Sequence, residues 1–418
     1  MRILLIHQYY LEKGEGGGSR FNEITKIWSE KNIHVTVLAG MVHYNSGVKP
    51  NKYKGKFIFK DLNFYKNVDV IRCHVSNSYN LNFIGRLWGY LSFVFSSIYA
   101  GIFKVKGKYD VILVTSPPLF LGISAYVLST FYKIPFIFEI RDLWPESAID
   151  TGILKSKFLI KLSYVFEKFI YKKAKIINVL TPAFRNVLID KKNIKKEKII
   201  FIPNAADFRL AKKIQNDKSF NVKDFKKKLG LENKFVITYV GAHGVANHLI
   251  QLIDAAEKLM NTNIVFQLIG SGMKKEYLKK EVVKRNLSNV IFRDPVPKSE
   301  VFKFILASDV GTSVLKNVET FKTIYSNKTF DYMSCKKPVL LVINGVSKEL
   351  VESAKCGVFA EPENPVSIAN KSKEMSFLHE NDLKQMGING YIYAKENFDR
   401  FKLSKKYIDK INLVLNGK

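Results

Sequence analysis

Short apolar runs rich in β-branched residues recur along the whole chain, and helical patterns separate most of them. Parallel strands need long crossover connections, which are usually helices, so this alternation predicts parallel sheets with helices on both faces. The runs form two series, separated by the charged stretch Lys212–Lys228. The first series is Ile3–Ile6, Val35–Leu38, Val111–Thr115, Pro135–Glu139 and Ile176–Leu180, and the second is Phe235–Val240, Ile264–Ile269, Val290–Phe292, Val310–Val314, Val339–Val342 and Gly357–Ala360.

The two series predict an α/β protein with two domains. A chain of 418 residues is long enough for two domains that each bury their own core. We place the junction near Pro203–Asp207, where a short apolar run ends in proline and asparagine. In such sheets ligands bind beyond the carboxyl ends of the strands, so a cleft lined by the loops that follow strands is expected.

The net charge of +30, from 67 Lys and Arg against 37 Asp and Glu, indicates attraction to a polyanion, either a nucleic acid or an anionic membrane. Compositional drift is the other explanation. Three scattered cysteines form no disulfide or metal framework and suit a reducing cytoplasm. The N-terminal run Met1–Ile6 is too short for a signal peptide and predicts a first strand.

The segment Ser326–Val339 predicts a helix that opens with Lys328-Thr329 and Asp331 and ends in a basic turn, a proline and a strand. Helix N-termini attract phosphate through unpaired backbone N–H groups and the helix dipole. Lys328 would add a point charge there, and Asp331 could accept hydrogen bonds from sugar hydroxyls. An ordinary helix start with a charged first turn is the alternative.

Two glycine-containing loops follow predicted strands. Gly14–Arg20 precedes a predicted helix, and its consecutive glycines would let the backbone approach a ligand closely. Gly241–Gly244 follows the first strand of the second series. A flexible loop and a structural or surface histidine are the alternatives. The candidate ligand-binding residues in these loops are Gly17, Gly18, Gly241, His243 and Gly244.

Four charges and a tryptophan lie directly after another predicted strand, in Glu139–Ser147. Charged groups are costly to bury without partners, so a cleft lining explains this cluster better than a surface loop does. Asp142 or Glu139 could orient or deprotonate a hydroxyl. Arg141 could contact a phosphate or pair with a neighbouring carboxylate. These three residues are the catalytic candidates.

Two segments with helical patterns could explain how the positive charge serves contact with an anionic membrane. Leu87–Phe103 has no charged residue over 17 positions and predicts a helix buried in the first domain, with a membrane-dipping helix or a span as alternatives. Lys155–Lys175 interleaves lysines with apolar residues, as membrane-surface helices do, although a lysine face over a core stripe gives the same pattern. The candidate membrane-facing residues are Trp88, Lys161, Lys168 and Lys172.

Taken in order, these motifs resemble the retaining family 4 glycosyltransferases of the GT-B fold, within the WbuB-like subgroup that builds bacterial O-antigen, capsule and colanic-acid sugars. The resemblance spans nearly the whole chain. The motifs that carry it are Gly16–Arg20, Ser116-Pro117-Pro118, Glu139–Glu146, Ile202–Asp207, Tyr239–Gly244 and Lys328–Tyr332.

The resemblance implies two Rossmann-like domains facing a central cleft. Residues 1–204 would bind the acceptor, residues 205–395 would bind a nucleotide sugar, and a C-terminal helix in 396–418 would pack back toward the first domain. It implies transfer of an N-acetylated hexose or deoxyhexose, with retention, from a UDP-linked donor to a lipid-linked saccharide. Retention could come from a covalent intermediate or from same-face attack, and the resemblance favours same-face attack. The enzyme would act peripherally on the cytoplasmic face of the cell membrane.

By the same resemblance, Lys328 would contact the diphosphate, Asp331 the ribose, and Gly17, Gly18 and Gly244 would lie near the phosphates. The sequence departs from the family pattern at Thr323, where a glutamate is expected, and at Ala242-His243, where many relatives carry an arginine. The chain contains no D-x-D motif, so we expect no metal and no other cofactor.

Two other classes of protein are compatible with parts of the sequence. A nucleic-acid-binding protein would explain the charge, but no RNP-type strand or helix-turn-helix pattern is evident, so we expect no nucleic-acid partner. A sugar-phosphate-binding module without catalysis would carry the same donor motifs. Release of nucleoside diphosphate separates that module from an enzyme.

Overall fold

The structure, a computed structural model, describes residues 1–13, 15, 20–42, 48–80 and 83–416. The chain divides into two compact units. The first unit takes in Met1–Glu12, Gly18–Pro203 and Phe401–Lys418, and the second takes in Lys13–Gly17 and Asn204–Arg400, each as far as its residues are described.

The first unit is built on an eight-stranded sheet, counted over the described residues, in the order β3-β4-β2-β1-β5-β6-β7-β8. Its central strands are almost entirely buried, as expected for a parallel sheet covered on both faces. The strands are β1 (Arg2–Ile6), β2 (His34–Gly40), β3 (Ile58–Tyr65), β4 (Val68–Cys73), β5 (Val111–Ser116), β6 (Phe136–Ile140), β7 (Ile176–Val179) and β8 (Ile199–Phe201). The helices are α1 (Arg20–Glu30), α2 (Phe83–Phe103), α3 (Leu121–Tyr132), α4 (Glu146–Asp150), α5 (Lys157–Lys173) and α6 (Pro182–Asn186).

The second unit carries a six-stranded sheet, again over the described residues, in the order β11-β10-β9-β12-β13-β14, with every pairing parallel. The strands are β9 (Phe235–Val240), β10 (Ile264–Ile269), β11 (Val290–Arg293), β12 (Val310–Val314), β13 (Val339–Val342) and β14 (Gly357–Phe359). The helices are α7 (Phe208–Gln215), α8 (Val222–Lys228), α9 (Ile250–Glu257), α10 (Lys275–Lys284), α11 (Lys298–Ala307), α12 (Asn327–Ser334), α13 (Val346–Ser353), α14 (Pro365–Phe377) and α15 (Glu380–Asn397).

The predicted fold class is confirmed, since both units are α/β layers around a parallel sheet. One edge of the first sheet departs from the predicted parallel arrangement, because β3 pairs antiparallel with β4. The hairpin turns at Lys66-Asn67, where Asn67 has a φ of 60°, and it was missed because β3 is an edge strand carrying charged and exposed residues. The three-residue strand β8 was also missed, because its apolar run was assigned to the domain junction.

A last helix, α16 (Arg400–Asn416), belongs from Phe401 onward to the first unit. It packs on α1 there: the indole Nε1 of Trp28 donates a hydrogen bond to the carbonyl oxygen of Ser404 over 3.0 Å, and the rings of Trp28 and Tyr407 meet edge to face. The first unit's core therefore combines residues from both ends of the chain.

Side chains at helix starts show why several helices begin where they do. Each of these residues accepts a hydrogen bond from a backbone N–H of the first turn, which stabilises a helix start by about 1 kcal/mol. The caps are Ser156 for α5, Thr181 for α6, Asp207 for α7, Asn221 for α8 and Asn364 for α14.

Candidate functional site

In the second unit, the loops after β9 and β10 touch backbone to backbone. The N–H of His243 donates to the carbonyl oxygen of Ser271 over 2.8 Å, and the N–H of Lys274 donates to that of His243 over 2.9 Å. A Cβ at Gly270 would lie 1.9 Å from the Gly241 oxygen, so only glycine fits this approach. The Gly270-Ser271-Gly272 loop was missed in the sequence, although a G-x-G directly after a strand marks it.

Lys328 lies in the first turn of α12, with its Nζ 4.8 Å from the centroid of the Tyr239 ring. Its Cε would lie 3.2 Å from a Cβ at Gly241, whose φ is 143°. Lys328 is partly buried and forms no ion pair or hydrogen bond with the described residues. Burial lowers the pKa of Lys328 to about 8, against an opposing effect of Asp331. This cation lacks a counter-ion in the described part of the chain.

His243 is fully buried, and neither ring nitrogen has a hydrogen-bond partner among the described residues. Its ring lies between Tyr239 and Phe292, with centroid distances of 6.1 and 6.0 Å. Burial, with help from the charges of Lys275 and Lys279, lowers the pKa of His243 to about 4. The imidazole is therefore neutral at pH 7 and offers one donor and one acceptor.

Two other candidates on α12 already have partners within the second unit. The Thr329 hydroxyl lies 2.9 Å from that of Ser313 at the end of β12, and it anchors the helix start to the sheet. A carboxylate oxygen of Asp331 lies 3.7 Å from Nζ of Lys298, which is also 3.7 Å from Asp207. A ribose that binds Asp331 would therefore share that carboxylate with Lys298.

The other residues near the ends of β9 and β10 differ in how closely the surrounding protein contacts them. A Cβ at Gly244 would contact only Oδ1 of Asn247, at 3.8 Å, so this glycine is not required by space. Lys275, which the sequence did not single out, is buried, and its Nζ donates to the carbonyl oxygens of Gly270 and Arg293. It joins the ends of β10 and β11. Gly17 and Gly18 lie outside the described residues.

In the first unit, Glu139 is fully buried and ion-paired with Arg20, whose Nε lies 3.0 Å from Oε1. Its Oε2 also accepts hydrogen bonds from Asn178 over 2.8 Å and from the Tyr407 hydroxyl over 3.1 Å. Arg20 donates further to the carbonyl oxygens of Ile202 and Pro203. With its lone pairs occupied by protein donors, Glu139 has a structural task.

Asp142 follows β6 and is partly buried. Burial raises the pKa of Asp142 to about 6, and the charge of Glu146 adds to the rise, while hydrogen bonds from Ser147 and the Leu143 N–H oppose it. Arg141 donates its backbone N–H to the carbonyl oxygen of Ser116 over 3.0 Å, so these charges lie beside the end of β5. The pKa of this catalytic candidate is therefore displaced toward neutrality.

His7 and Gln8 directly follow β1 and were missed in the sequence, because no motif marks them. Both are buried, and Nδ1 of His7 lies 2.7 Å from the Thr115 hydroxyl. Nε2 of His7 and both polar atoms of the Gln8 side chain have no partner among the described residues. Burial is the main cause that holds the pKa of His7 well below its ordinary value, and the charge of Arg141 contributes. Polar groups that can still bind a ligand therefore lie at the end of β1.

Helix α5 does not show the alternative arrangement, a lysine face over a core stripe. It buries Ser163, Glu167, Ile170 and Tyr171 and exposes an apolar stripe, with Phe158 74%, Leu162 53%, Val165 60% and Phe169 39% accessible. Lys161, Lys168 and Lys172 are exposed beside this stripe. Contiguous exposed apolar surface of this kind marks an interaction site rather than chance exposure.

Helix α2 is also exposed on one face. It buries Phe93, Val94 and Ala100 together with Ser92, Ser96 and Ser97, but Trp88, Phe95, Tyr99 and Phe103 are exposed. The prediction of a buried helix therefore holds for one face alone. Within the part of the chain that the structure describes, no helix combines the length and the apolar character needed to cross a membrane.

The chain matches two family models. Residues 221–392 match the model described as glycosyl transferases group 1, and residues 15–205 match the model described as a glycosyl transferase 4-like domain. Together with the two parallel-sheet units, these matches show that the chain is a glycosyltransferase of the GT-B fold.

Among curated proteins, the chain is similar to a protein of Escherichia coli K12 named for colanic acid biosynthesis, the glycosyl transferase WcaI. The two are 25% identical over 205 residues, which is 48% of this chain and 49% of that relative. The chain thus matches about half the length of this relative.

Among solved structures, the chain is similar in fold to Anabaena Alr3699/HepE in complex with UDP and glucose, with a TM-score of 0.72 and 17% identity over 99% of each chain. It is similar also to the sucrose-phosphate synthase of Thermosynechococcus elongatus, with a TM-score of 0.73 and 15% identity over 100% of each chain.

The buried Arg20–Glu139 pair yields a prediction about stability. Glu139→Gln should lower the free energy of unfolding of the first unit by about 3–5 kcal/mol, because Arg20 would remain buried without a counter-charge. All three tryptophans, Trp28, Trp88 and Trp144, belong to the first unit, so urea unfolding followed by tryptophan fluorescence reports on it selectively. Glu197→Gln, at an exposed position of the same unit, is the control. Equal unfolding midpoints for both variants would contradict the prediction.

Proposed function

We propose that this chain is a retaining glycosyltransferase that moves a sugar from a UDP-linked donor to a lipid-linked saccharide in the synthesis of a bacterial surface polysaccharide. The observation that carries the proposal is the partly buried cation of Lys328, without a counter-ion among the described residues, at the first turn of a helix. The HepE complex with UDP and glucose and the name of the WcaI relative support the donor and pathway class. The acceptor and the subgroup belong to the proposal.

The second unit is the donor-binding unit in this proposal. Lys328 and the free N–H groups at the start of α12 take the diphosphate, because both a cation and a helix N-terminus favour anions. Gly241 leaves room for a phosphate beside Lys328. The neutral His243 ring offers one hydrogen bond to the donor, and Asp331 takes a ribose hydroxyl in competition with Lys298.

The first unit is the acceptor-binding unit in this proposal. With a pKa of about 6, Asp142 is about 90% ionised at pH 7 and accepts a hydrogen bond from the acceptor hydroxyl. Arg141 helps to position the reacting groups. The attack comes from the same face that the diphosphate leaves, and the departing phosphate takes the proton of the hydroxyl. Glu139 holds β6 in place and stays outside the chemistry.

The lysine and the helix dipole carry the charge of the leaving diphosphate in this mechanism. The donors are fixed before the bond breaks, so no reorganisation is needed as charge develops. The sequence contains no D-x-D motif, and the described residues hold no group of three or more His, Cys, Asp or Glu side chains suited to a metal. We therefore propose a metal-independent transfer with no other cofactor.

The exposed faces of α2 and α5 hold the enzyme peripherally on an anionic membrane in this proposal. Helices α2 and α3 pack together, as do α3 and α5, so both apolar faces belong to one helical layer of the first unit. Each lysine near an anionic leaflet contributes about 1 kcal/mol, and the exposed rings add apolar burial. The cytoplasmic face of the cell membrane, where a lipid-linked acceptor is reached, is the proposed location.

Lys328→Ala should weaken UDP binding by about 10- to 100-fold, because a charge-assisted phosphate contact is worth about 1.5–3 kcal/mol. Transfer to a lipid-diphosphate acceptor should fall with it in a screen of nucleotide sugars. Lys322→Ala, which removes a lysine paired with Glu319 on the surface of the same unit, should change neither. Normal UDP affinity in folded Lys328→Ala would remove Lys328 from the site, and a wild type that transfers no sugar would refute the function.

The pKa of Lys328 gives the same site a pH dependence. In the free protein the lysine loses its proton as pH rises through about 8, so the affinity for UDP should fall by up to about tenfold between pH 7 and 9. Lys328→Arg stays charged over this range. Calorimetric titration of both proteins with UDP distinguishes the effect of lysine ionisation on the affinity from the effect of UDP ionisation. Parallel pH profiles would contradict the assignment.

EDTA should not abolish activity, because Lys328 and the α12 amides replace a metal at the diphosphate. Initial rates with and without chelator test this. Complete loss restored by magnesium or manganese would contradict it, whereas a modest stimulation by metal is compatible with binding to free nucleotide.

Membrane attachment should depend on charge. The screening length shortens from about 10 Å at 0.1 M salt to about 3 Å at 1 M, so high salt should release protein from anionic vesicles. Lys161→Glu with Lys172→Glu should bind less well. Lys258→Glu with Lys284→Glu makes the same charge change at exposed positions of the second unit and is the control. Co-sedimentation that is equal for all three proteins and unaffected by salt would contradict this mode of attachment.

A further inference from the structure

A shallow, open groove of about 460 Å³ lies on one face of α5 in the first unit. It is lined by Lys157, Ile160, Lys161, Tyr164, Val165 and Lys168. We call its apolar lining residues, Ile160, Tyr164 and Val165, the floor and its three lysines the rim.

The three lysines of the groove differ from many other surface lysines of this chain. Lys157, Lys161 and Lys168 form no ion pair with the described residues, whereas seven surface lysines elsewhere have a carboxylate three or four positions away. Three uncompensated positive charges above an apolar floor are complementary to one kind of ligand, an anionic head group attached to a hydrocarbon chain.

The floor of the groove is joined to the loop that carries Asp142. The Tyr164 hydroxyl hydrogen-bonds to Glu146, and Oε1 of Glu146 lies 2.6 Å from Nζ of Lys192. Lys192 also binds both carboxylate oxygens of the buried Glu167, on the inner face of α5. Glu146 is close enough to Asp142 for its charge to raise the pKa of that carboxyl. Hydrogen bonds and ion pairs through Glu146 and Lys192 therefore connect the groove to the proposed acceptor-binding loop.

We propose that this groove binds the phosphate-bearing isoprenoid end of the lipid-linked acceptor as a one-to-one site, with the phosphates on the lysine rim and the hydrocarbon chain on the floor. The proposal rests on the acceptor class named above and makes it specific. It separates recognition of one lipid molecule from the general attraction of α5 to an anionic surface, which needs no groove and does not saturate at one ligand.

Farnesyl diphosphate, a short soluble isoprenoid diphosphate, is the probe, and calorimetric titration of the full chain gives its affinity and stoichiometry. We expect one molecule per chain, with farnesol and inorganic diphosphate each binding at least tenfold more weakly. The triple variant Lys157→Gln, Lys161→Gln and Lys168→Gln should bind at least tenfold more weakly, and so should Val165→Asp. Val165 is 60% exposed, so its replacement leaves the fold intact.

The control has the same charge change in the same stretch of chain. Lys155→Gln, Lys172→Gln and Lys175→Gln removes three exposed lysines that do not line the groove and should keep the wild-type affinity. UDP affinity should be unchanged in both triple variants. In a transfer assay the groove variant should raise the KM for the lipid acceptor and leave that for the sugar donor unchanged.

Several outcomes would contradict the proposal that this groove binds the acceptor lipid. They are farnesyl diphosphate binding that does not saturate at one per chain, equal loss in the control variant, or equal binding of inorganic diphosphate. A Val165→Asp variant that binds the probe normally but dissociates a dimer would assign the face to a second copy of the chain instead. Each of these leaves UDP binding and transfer untouched, whereas loss of the proposed function would appear as a wild type that neither binds UDP nor transfers sugar.

Discussion

The first unit depends on one buried ion pair, between Arg20 and Glu139. Its partners belong to α1, β6, β7, α16 and the segment at Ile202 and Pro203, so five parts of the chain meet at two side chains. A buried pair of this kind adds little net stability over an apolar pair, but breaking it costs several kcal/mol. Its contribution is to hold β6 in position. Arg141 and Asp142 follow β6 directly, so the ion pair also fixes where these two residues lie.

The second unit uses charge in the opposite way. Lys275, the first residue of α10, has a full set of protein acceptors and holds two strand ends together, whereas Lys328 has none among the described residues. Both lysines are removed from water to some degree, and burial lowers the pKa of Lys328 to about 8. A partly buried cation without an ion-pair partner in the protein is stabilised most by an anionic ligand, because binding then compensates the free-energy cost of its burial.

Much of the fold could be predicted from the sequence, because strands buried on both faces are continuous apolar runs that only a parallel sheet accommodates. The hairpin of β3 and β4 could not, since edge strands tolerate Lys60 and Asp61. Of the site, Lys328 was predictable from its place at a helix start. Glu139 was assigned to catalysis because its partners, Arg20 and Tyr407, lie 119 and 268 residues away and are invisible to local reasoning.

The direction in which α5 faces could not be predicted from the sequence either. A helical period defines an apolar stripe but does not show which side of the helix packs on the core. Glu167 shows how a charged residue can lie on the buried side. Lys192 binds both oxygens of its carboxylate, so α5 buries Glu167 together with Ile170 and Tyr171. The apolar residues at 158, 162, 165 and 169 stay more than a third exposed. Lys192 also connects α5 to the carboxylates around Asp142, since Glu146 binds the same lysine.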